Sequence, residues 1–262
     1  MPETVKVRKD DGIATVLLNR PEAFNTFNMD LVECFAANLI SLAADDKVRG
    51  IVISGEGKAF SGGGDLKYAL AFPKGPSAAL HELAGRFHSA VLEIRRMPKP
   101  VIAAINGVAA GGGFSLALVC DFRVMAQSAV LRQAYTSSGL CIDGGGSFTL
   151  PRLVGLARAM EIMAFDPPIS AEQALGWGLA TKIVPDGRAI EEATNMARQL
   201  ANGSLNSFGL SKMLLTDSFN TSFETHLERE RRGLSSCAAH PEGMEGLRAF
   251  TEKRKPVFTT TK

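Results

Sequence analysis

Apolar and polar residues alternate through TVKVRK (4–9), and IATVLLN (13–19) is largely apolar, with Asp11-Gly12 between the two runs. This pattern predicts a β-hairpin over 4–19. The period then changes. Leu31, Phe35, Leu39 and Leu42 recur at helical spacing behind Asn28, a residue suited to capping, and predict a helix over 29–44. GIVISG (50–55) and VIAAING (101–107) are short, continuous apolar runs bounded by glycine, as expected of strands covered on both faces. Between them, 77–97 reads as one long helix stopped by Pro98 and Pro100. FSLALVC (114–120) is expected as a buried helix and DFRVMA (121–126) as another strand. SAEQALGWG (170–178) carries a capping box, Ser170 with Gln173, and glycines at the helix end.

Beyond about residue 186 only helical patterns remain: AIEEATNMARQLA, LNSFGLSKMLL, FETHLERERRGL and EGMEGLRAFTEKR. Strands mixed with helices and then helices alone predict an α/β body over 1–200 and an all-helical region over 201–262. That tail is expected to pack on the body or on a neighbouring subunit. No repeat of fixed period and no low-complexity tract interrupts this order.

Composition narrows the function classes. The chain has 262 residues, 45% apolar and 21% charged, with a net charge of +2, so no global field points to nucleic acid or to a membrane surface. No run approaches the roughly 18–20 apolar residues that span a bilayer. The charged start lacks a signal-peptide core, and VFTTTK at the end carries no peroxisomal or retention signal, so a cytoplasmic location is expected. Cys34, Cys120, Cys141 and Cys237 are scattered without a CxxC pair, which predicts free thiols and no metal site. A small anionic ligand stays open, because local clusters such as Lys253-Arg254-Lys255 vanish in the total.

The chemistry is concentrated in glycine-rich loops. Phe60-Ser61-Gly62-Gly63-Gly64-Asp65 and Ala110-Gly111-Gly112-Gly113-Phe114 each follow a strand and precede a helix. Neither holds G-x-G-x-x-G or Gly-Lys-Ser/Thr, which argues against dinucleotide and P-loop sites. Exposed N–H groups at helix starts favour negative charge, and two such loops converging would form an oxyanion hole worth about 3 kcal/mol per donor. Tight strand–helix packing explains the glycines equally well. A third loop, GLCIDGGGSFTLPRLVG (139–155), sets Asp143 between the apolar run Leu140-Cys141-Ile142 and three glycines. Asp-Gly is a favoured turn dipeptide. It also places a carboxylate where desolvation is expected.

NRPEAFNTFN, KAFSGGGDL, KPVIAAINGVAAGGG, LVCDFRVMA, GLCIDGGGSFTLPRLVG, ISAEQALGWGLATKIV and EGLRAFTEKRKPVF occur in an order that resembles the crotonase family, the enoyl-CoA hydratase/isomerase superfamily. The resemblance covers nearly the whole chain. It implies an α/β, crotonase-like spiral of ββα units with a C-terminal helical trimerisation region, hence a homotrimer or hexamer. It implies an acyl-CoA thioester as substrate and no separate cofactor. Gly64 and Gly112 would be the oxyanion donors. Lys58, Ala59, Phe60 and the segment Gly64 to Lys67, with Asp65, Leu66 and Lys67, would line the coenzyme A path. Lys253 resembles a tail lysine that reaches the coenzyme A phosphates, or is a solvated charge at a basic helix end.

Hydratases of this family use two glutamates, and the matching positions here hold Ser115 and Tyr135. Asp143 matches the catalytic aspartate of several isomerases. The implied reaction is a 1,3-proton shift from 3-enoyl-CoA to 2-enoyl-CoA, with Leu140, Ile142 and Phe148 desolvating the base and strengthening it. Two alternatives are a hydratase or hydrolase with an unrecognised second acid, and a non-catalytic coenzyme A-binding homologue. Tyr135 is expected either to orient substrate or to fill the space of a glutamate. Cys141 reads as a small core residue and Trp177 as core. His81 and His88 read as one solvated helix face, Glu82 and Glu93 as a salt-bridged exterior, and His226 and His240 as surface or interface. Tyr68, Leu70 and Phe72 are candidate acyl-pocket walls.

Overall fold

In the computed structural model, which describes residues 3–258, the Asp11-Gly12 turn folds β1 (Val5–Asp10) onto β2 (Ile13–Leu18) in antiparallel register. The Asn28 side chain accepts a hydrogen bond from the Leu31 N–H at 3.1 Å and starts α1 (Met29–Ala44), whose Leu31, Phe35, Leu39 and Leu42 are buried. Then β3 (Gly50–Gly55), buried at every position, pairs in parallel with β2.

From β3 onward a unit recurs: a long strand, a three-residue strand in a second sheet, then helix. The first unit is β3, β4 (Ala59–Ser61), α2 (Leu66–Ala71) and α3 (Gly75–Arg96). The second is β5 (Val101–Ile105), β6 (Val108–Ala110) and α4 (Gly112–Val119). The third is β7 (Phe122–Ala126), β8 (Val130–Arg132) and α5 (Gly146–Phe165). Next come β9 (Ile169–Ser170), α6 (Ala171–Gly176) and β10 (Lys182–Val184), with the Ser170–Gln173 capping box formed in both directions. The long strands make one sheet, β1-β2-β3-β5-β7-β10, and the short ones another, β4-β6-β8-β9. This is the spiral of ββα units that the resemblance implies.

Two parts of the architecture carry no local signature. The second sheet is built from strands of three residues or fewer, too short to show a period. Helix α5 hides behind its glycine-rich start, an internal Pro151 and a non-helical Gly155.

Helix α7 (Ala189–Ala201) turns Ala189, Ala193, Ala197 and Ala201 inward, letting it lie close on β3, β5 and β7. Three further helices follow: α8 (Leu205–Asp217), α9 (Phe223–Ala239) and α10 (Pro241–Thr251). A buried lysine ties them to the body. Lys212 Nζ donates to the Ile94 carbonyl at 2.7 Å and meets Asp121 Oδ2 at 2.8 Å, and Asp121 also accepts from the Val101 N–H. Helix α9 buries none of its residues, and Phe223, Leu234 and Phe250 are 71–84% exposed.

On the outer face of α3, Arg86 pairs with Glu33, whereas Glu82 and Glu93 have no ion-pair partner among the described residues, contrary to the sequence expectation. Trp177 is half-buried against the core with Arg158 stacked on its ring.

Burial pushes the Asp121 carboxyl above its ordinary pKa, and Lys212 opposes that shift. Lys212→Met leaves a buried carboxylate without its counter-charge, so urea unfolding should show a stability loss of about 3–5 kcal/mol. A loss under about 1 kcal/mol would show that the pair behaves like an exposed one.

Candidate active site

Strands β4 and β6 run side by side and each ends in glycines. Their turns touch backbone to backbone. A methyl group on Gly63, which sits at φ +90°, would lie 2.7 Å from the Ala110 carbonyl oxygen and 2.9 Å from the Gly112 nitrogen. No other residue fits there without parting the loops.

That contact leaves two amides facing one space. Gly112 is the first residue of α4, so its N–H has no intrahelical acceptor. Around Gly64, the Phe27 N–H donates to the Gly63 carbonyl at 2.7 Å, and the Asp65 N–H to the Phe27 carbonyl at 2.9 Å. Among the described residues, the N–H groups of Gly64 and Gly112 donate no hydrogen bond. Both glycines line a cavity of about 380 Å³ walled by Phe27, Leu83, Phe87 and Leu140, and Asp143 lies on the same lining.

Asp143 reaches this cavity because the glycines after it let the loop press inward. A methyl on Gly144 would fall 2.5 Å from the Phe87 ring, and one on Gly146 would fall 2.5 Å from Ser115 Oγ. The carboxylate is then gripped on one oxygen. The Tyr135 hydroxyl donates to Asp143 Oδ1 at 2.6 Å, and Ser115 Oγ, 3.1 Å behind it, donates to the tyrosine oxygen. Burial first, and the Asp143 charge second, push the Tyr135 pKa well above the usual phenol range, so it remains a donor at physiological pH. The other oxygen, Oδ2, lies 3.8 Å from His88 Nε2, and the Asp143 side chain is 38% exposed.

Phe148, the Tyr68–Phe72 wall and Cys141 depart from the sequence expectations, and the other predicted site residues take definite places around the cavity. Phe148 does not shield Asp143: its ring lies under the guanidinium groups of Arg152 and Arg95. Asp65 caps α2 through the Tyr68 N–H and pairs with Arg20 at 3.0 Å, so its carboxylate is committed to the fold. Ala59 and Phe60 bury their side chains in β4, outside the cavity lining. Of Asp65, Leu66 and Lys67, only Leu66 lines the cavity, and Lys58 and Lys67 are exposed outside it. Lys253 is exposed just beyond α10 and takes no part in this cavity. Tyr68, Leu70 and Phe72 give way to Leu80, Leu83 and Phe87 as the α3-side wall. Cys141 is an exposed residue on the lining rather than a core thiol. His81 and His88 are exposed, as expected, and in addition His88 lies 3.8 Å from Asp143 and His81 lines the cavity. His226 pairs with Glu230, and His240 caps α10.

The model of the enoyl-CoA hydratase/isomerase family matches residues 8–261. The chain belongs to that family. Among its relatives is the 1,2-epoxyphenylacetyl-CoA isomerase of Escherichia coli K12, 36% identical over 260 residues and 99% of both chains. A 4-chlorobenzoyl coenzyme A dehalogenase of Arthrobacter is 32% identical over 95% of this chain and 91% of its own. The crystal structure of an enoyl-CoA hydratase from Polaromonas superposes with a TM-score of 0.91 at 34% identity, covering 96% of this chain and 98% of that one. Family membership is thus shared with proteins named for three different activities.

Cys141 gives an independent reading of cavity access. Iodoacetamide followed by peptide mass spectrometry should modify Cys141 readily. Cys120, whose thiol burial pushes up to about 12, should resist. A ligand filling the cavity at ten times its Kd should slow Cys141 labelling about tenfold. Equal labelling with and without ligand would mean that ligands bind elsewhere.

Proposed function

We propose that the chain is an acyl-CoA isomerase that converts a 3-enoyl-CoA to a 2-enoyl-CoA in the degradation of fatty or of aromatic and alicyclic acids. The observation that carries this reading is a single carboxylate, Asp143, lining the same cavity as the free amides of Gly64 and Gly112. The two positions at which family hydratases hold acids are Ser115 and Tyr135, and here they support that carboxylate instead.

The thioester oxygen accepts from the Gly64 and Gly112 N–H groups. Asp143 Oδ2 takes a proton from C2, and the C–H electron pair moves through C2–C1 onto the thioester carbonyl oxygen, giving a dienolate. Charge that develops only at this stage is what such donors stabilise. The same carboxyl then returns the proton to C4, and the double bond settles between C2 and C3. Tyr135 holds Oδ1 and leaves Oδ2 as the proton carrier. The reaction is proton-neutral overall and asks for no metal or redox cofactor. The coenzyme A part leaves the cavity past Lys58 and Lys67, and Lys253 is proposed to meet its phosphates. The bare apolar faces of α9 and α10 favour a homotrimer or hexamer.

A second reading has a specific observation behind it. His88, 3.8 Å from Asp143, is a second group able to carry a proton, as hydration or thioester hydrolysis requires.

Product analysis separates the two. Growth of conjugated-enoyl absorbance from a 3-enoyl-CoA supports isomerisation, whereas a 3-hydroxyacyl-CoA or free acid supports the second reading. Asp143→Asn should lower isomerase kcat at least ~100-fold. Loss of one hydrogen bond to a charged group in Tyr135→Phe should cost about 1.5–3 kcal/mol, roughly 10- to 100-fold in kcat with KM little changed. His88→Gln should leave isomerisation within about threefold. Full activity in Asp143→Asn would refute the assignment.

A further inference from the structure

A second cavity of about 440 Å³ lies between the end of α4, the first turns of α5, and α8 with the turn that follows it. It shares no lining residue with the cavity around Asp143. Its walls are apolar, with Leu118, Phe148, Leu215 and Phe219 among them, and its volume falls in the usual range for small-ligand sites, about 300–1,000 Å³.

The charges on this lining are unbalanced. Four cations, Arg95, Arg123, Arg152 and Lys212, face one carboxylate, Asp121. Lys212 and Asp121 neutralise each other at 2.8 Å. Arg95 has an outside partner, Asp217. Arg152 has no carboxylate partner among the described residues. Its guanidinium stacks 3.4 Å from the centre of the Phe148 ring and 5.2 Å from that of Phe219. Arg95 lies 4.7 Å from the same Phe148 ring, so two like charges are held against one aromatic group. Deeper in, Arg123 is 6% exposed and its Nη1 donates to the Cys120 carbonyl, but its Nε is buried without an acceptor among the described residues. A buried donor left unpaired costs free energy that an anionic ligand can recover.

We propose that this cavity binds an amphipathic monocarboxylate, with the carboxylate among the Arg95, Arg123 and Arg152 guanidiniums and the hydrocarbon on Leu118, Leu215 and Phe219. An arginine fork matches a carboxylate in geometry as well as charge. The apolar walls distinguish this ligand from a bare phosphate, which would leave them uncovered. Helix α4 borders both cavities, through Gly112 and Leu118, and α5, which carries Phe148, begins three residues after Asp143. The ligand therefore sits one helix away from the Asp143 loop.

Isothermal titration of the full chain with octanoate tests the proposal. Saturable binding with a Kd of about 1 mM or below is expected, unchanged when a coenzyme A thioester fills the first cavity. Arg152→Gln, at an exposed position whose one hydrogen bond is to the Phe148 carbonyl a turn earlier, should weaken binding at least about tenfold, the size of one charge-assisted hydrogen bond. Leu215→Trp, which fills the cavity from another exposed position, should weaken it by a similar factor. Octan-1-ol should bind at least about tenfold more weakly, and inorganic phosphate should show no saturable binding. The proposal is overturned if octanoate competes with the thioester, if octan-1-ol or phosphate binds as well, if both variants bind like the parent chain, or if no binding occurs because another copy of the chain covers the opening.

Discussion

The site depends on a contact between two turns that have no side chains. Gly63 rests against Ala110, Gly111 and Gly112 at distances that exclude even a methyl group. This closeness follows from the pairing of β4 with β6, which brings the ends of two separate ββα units together. The N–H of Gly112 is free because it begins a helix, and that of Gly64 is free because its neighbours make the bridge to Phe27. The two donors thus come from different units of the fold. The small second sheet keeps them in register.

Asp143 obeys the same rule of close approach. The glycines after it bring its loop within methyl-excluding distance of Phe87 on α3 and Ser115 on α4. Once there, the carboxylate is held by Tyr135, which Ser115 supports from behind. A buried phenol kept protonated by its surroundings is a directional donor, so the acid has one fixed oxygen and one free one. The residues at the two would-be glutamate positions have become the mount for the acid that remains.

Elements with local signals were legible in the chain. Asn28 and the Leu31–Leu42 spacing mark α1, the capping box marks α6, and the apolar runs mark β3 and β5. The glycine turns and Asp143 were also readable as chemistry, through their resemblance to known motifs. What lay beyond reach was set by distant contacts. Nothing in the spacing of Ser115, Tyr135 and Asp143 says that they form a hydrogen-bonded chain, because three separate segments must first be folded together. His88 sits on a solvated helix face, and only folding of the 139–146 loop brings Asp143 within 3.8 Å of it. Asp65 is a different case. An acidic residue just before an apolar helical run is a capping signal, and the capping role could have been read in place of the ligand contact.

The helical tail also belongs to the site. Lys212, on α8, donates to the Ile94 carbonyl on α3 and pairs with Asp121 just ahead of β7. Asp121 in turn accepts from the start of β5. One buried ammonium therefore fixes α3 against the strands whose continuations carry the Gly112 turn and Tyr135. Since α3 supplies Leu80, Leu83 and Phe87, one wall of the cavity is positioned from more than a hundred residues away in sequence. Burying that ion pair costs solvation free energy that its hydrogen bonds must offset. The Lys212 ammonium meets that cost with directional bonds to the Ile94 and Lys99 carbonyls and the Asp121 carboxylate, which join α8, α3 and the strand ends at one point.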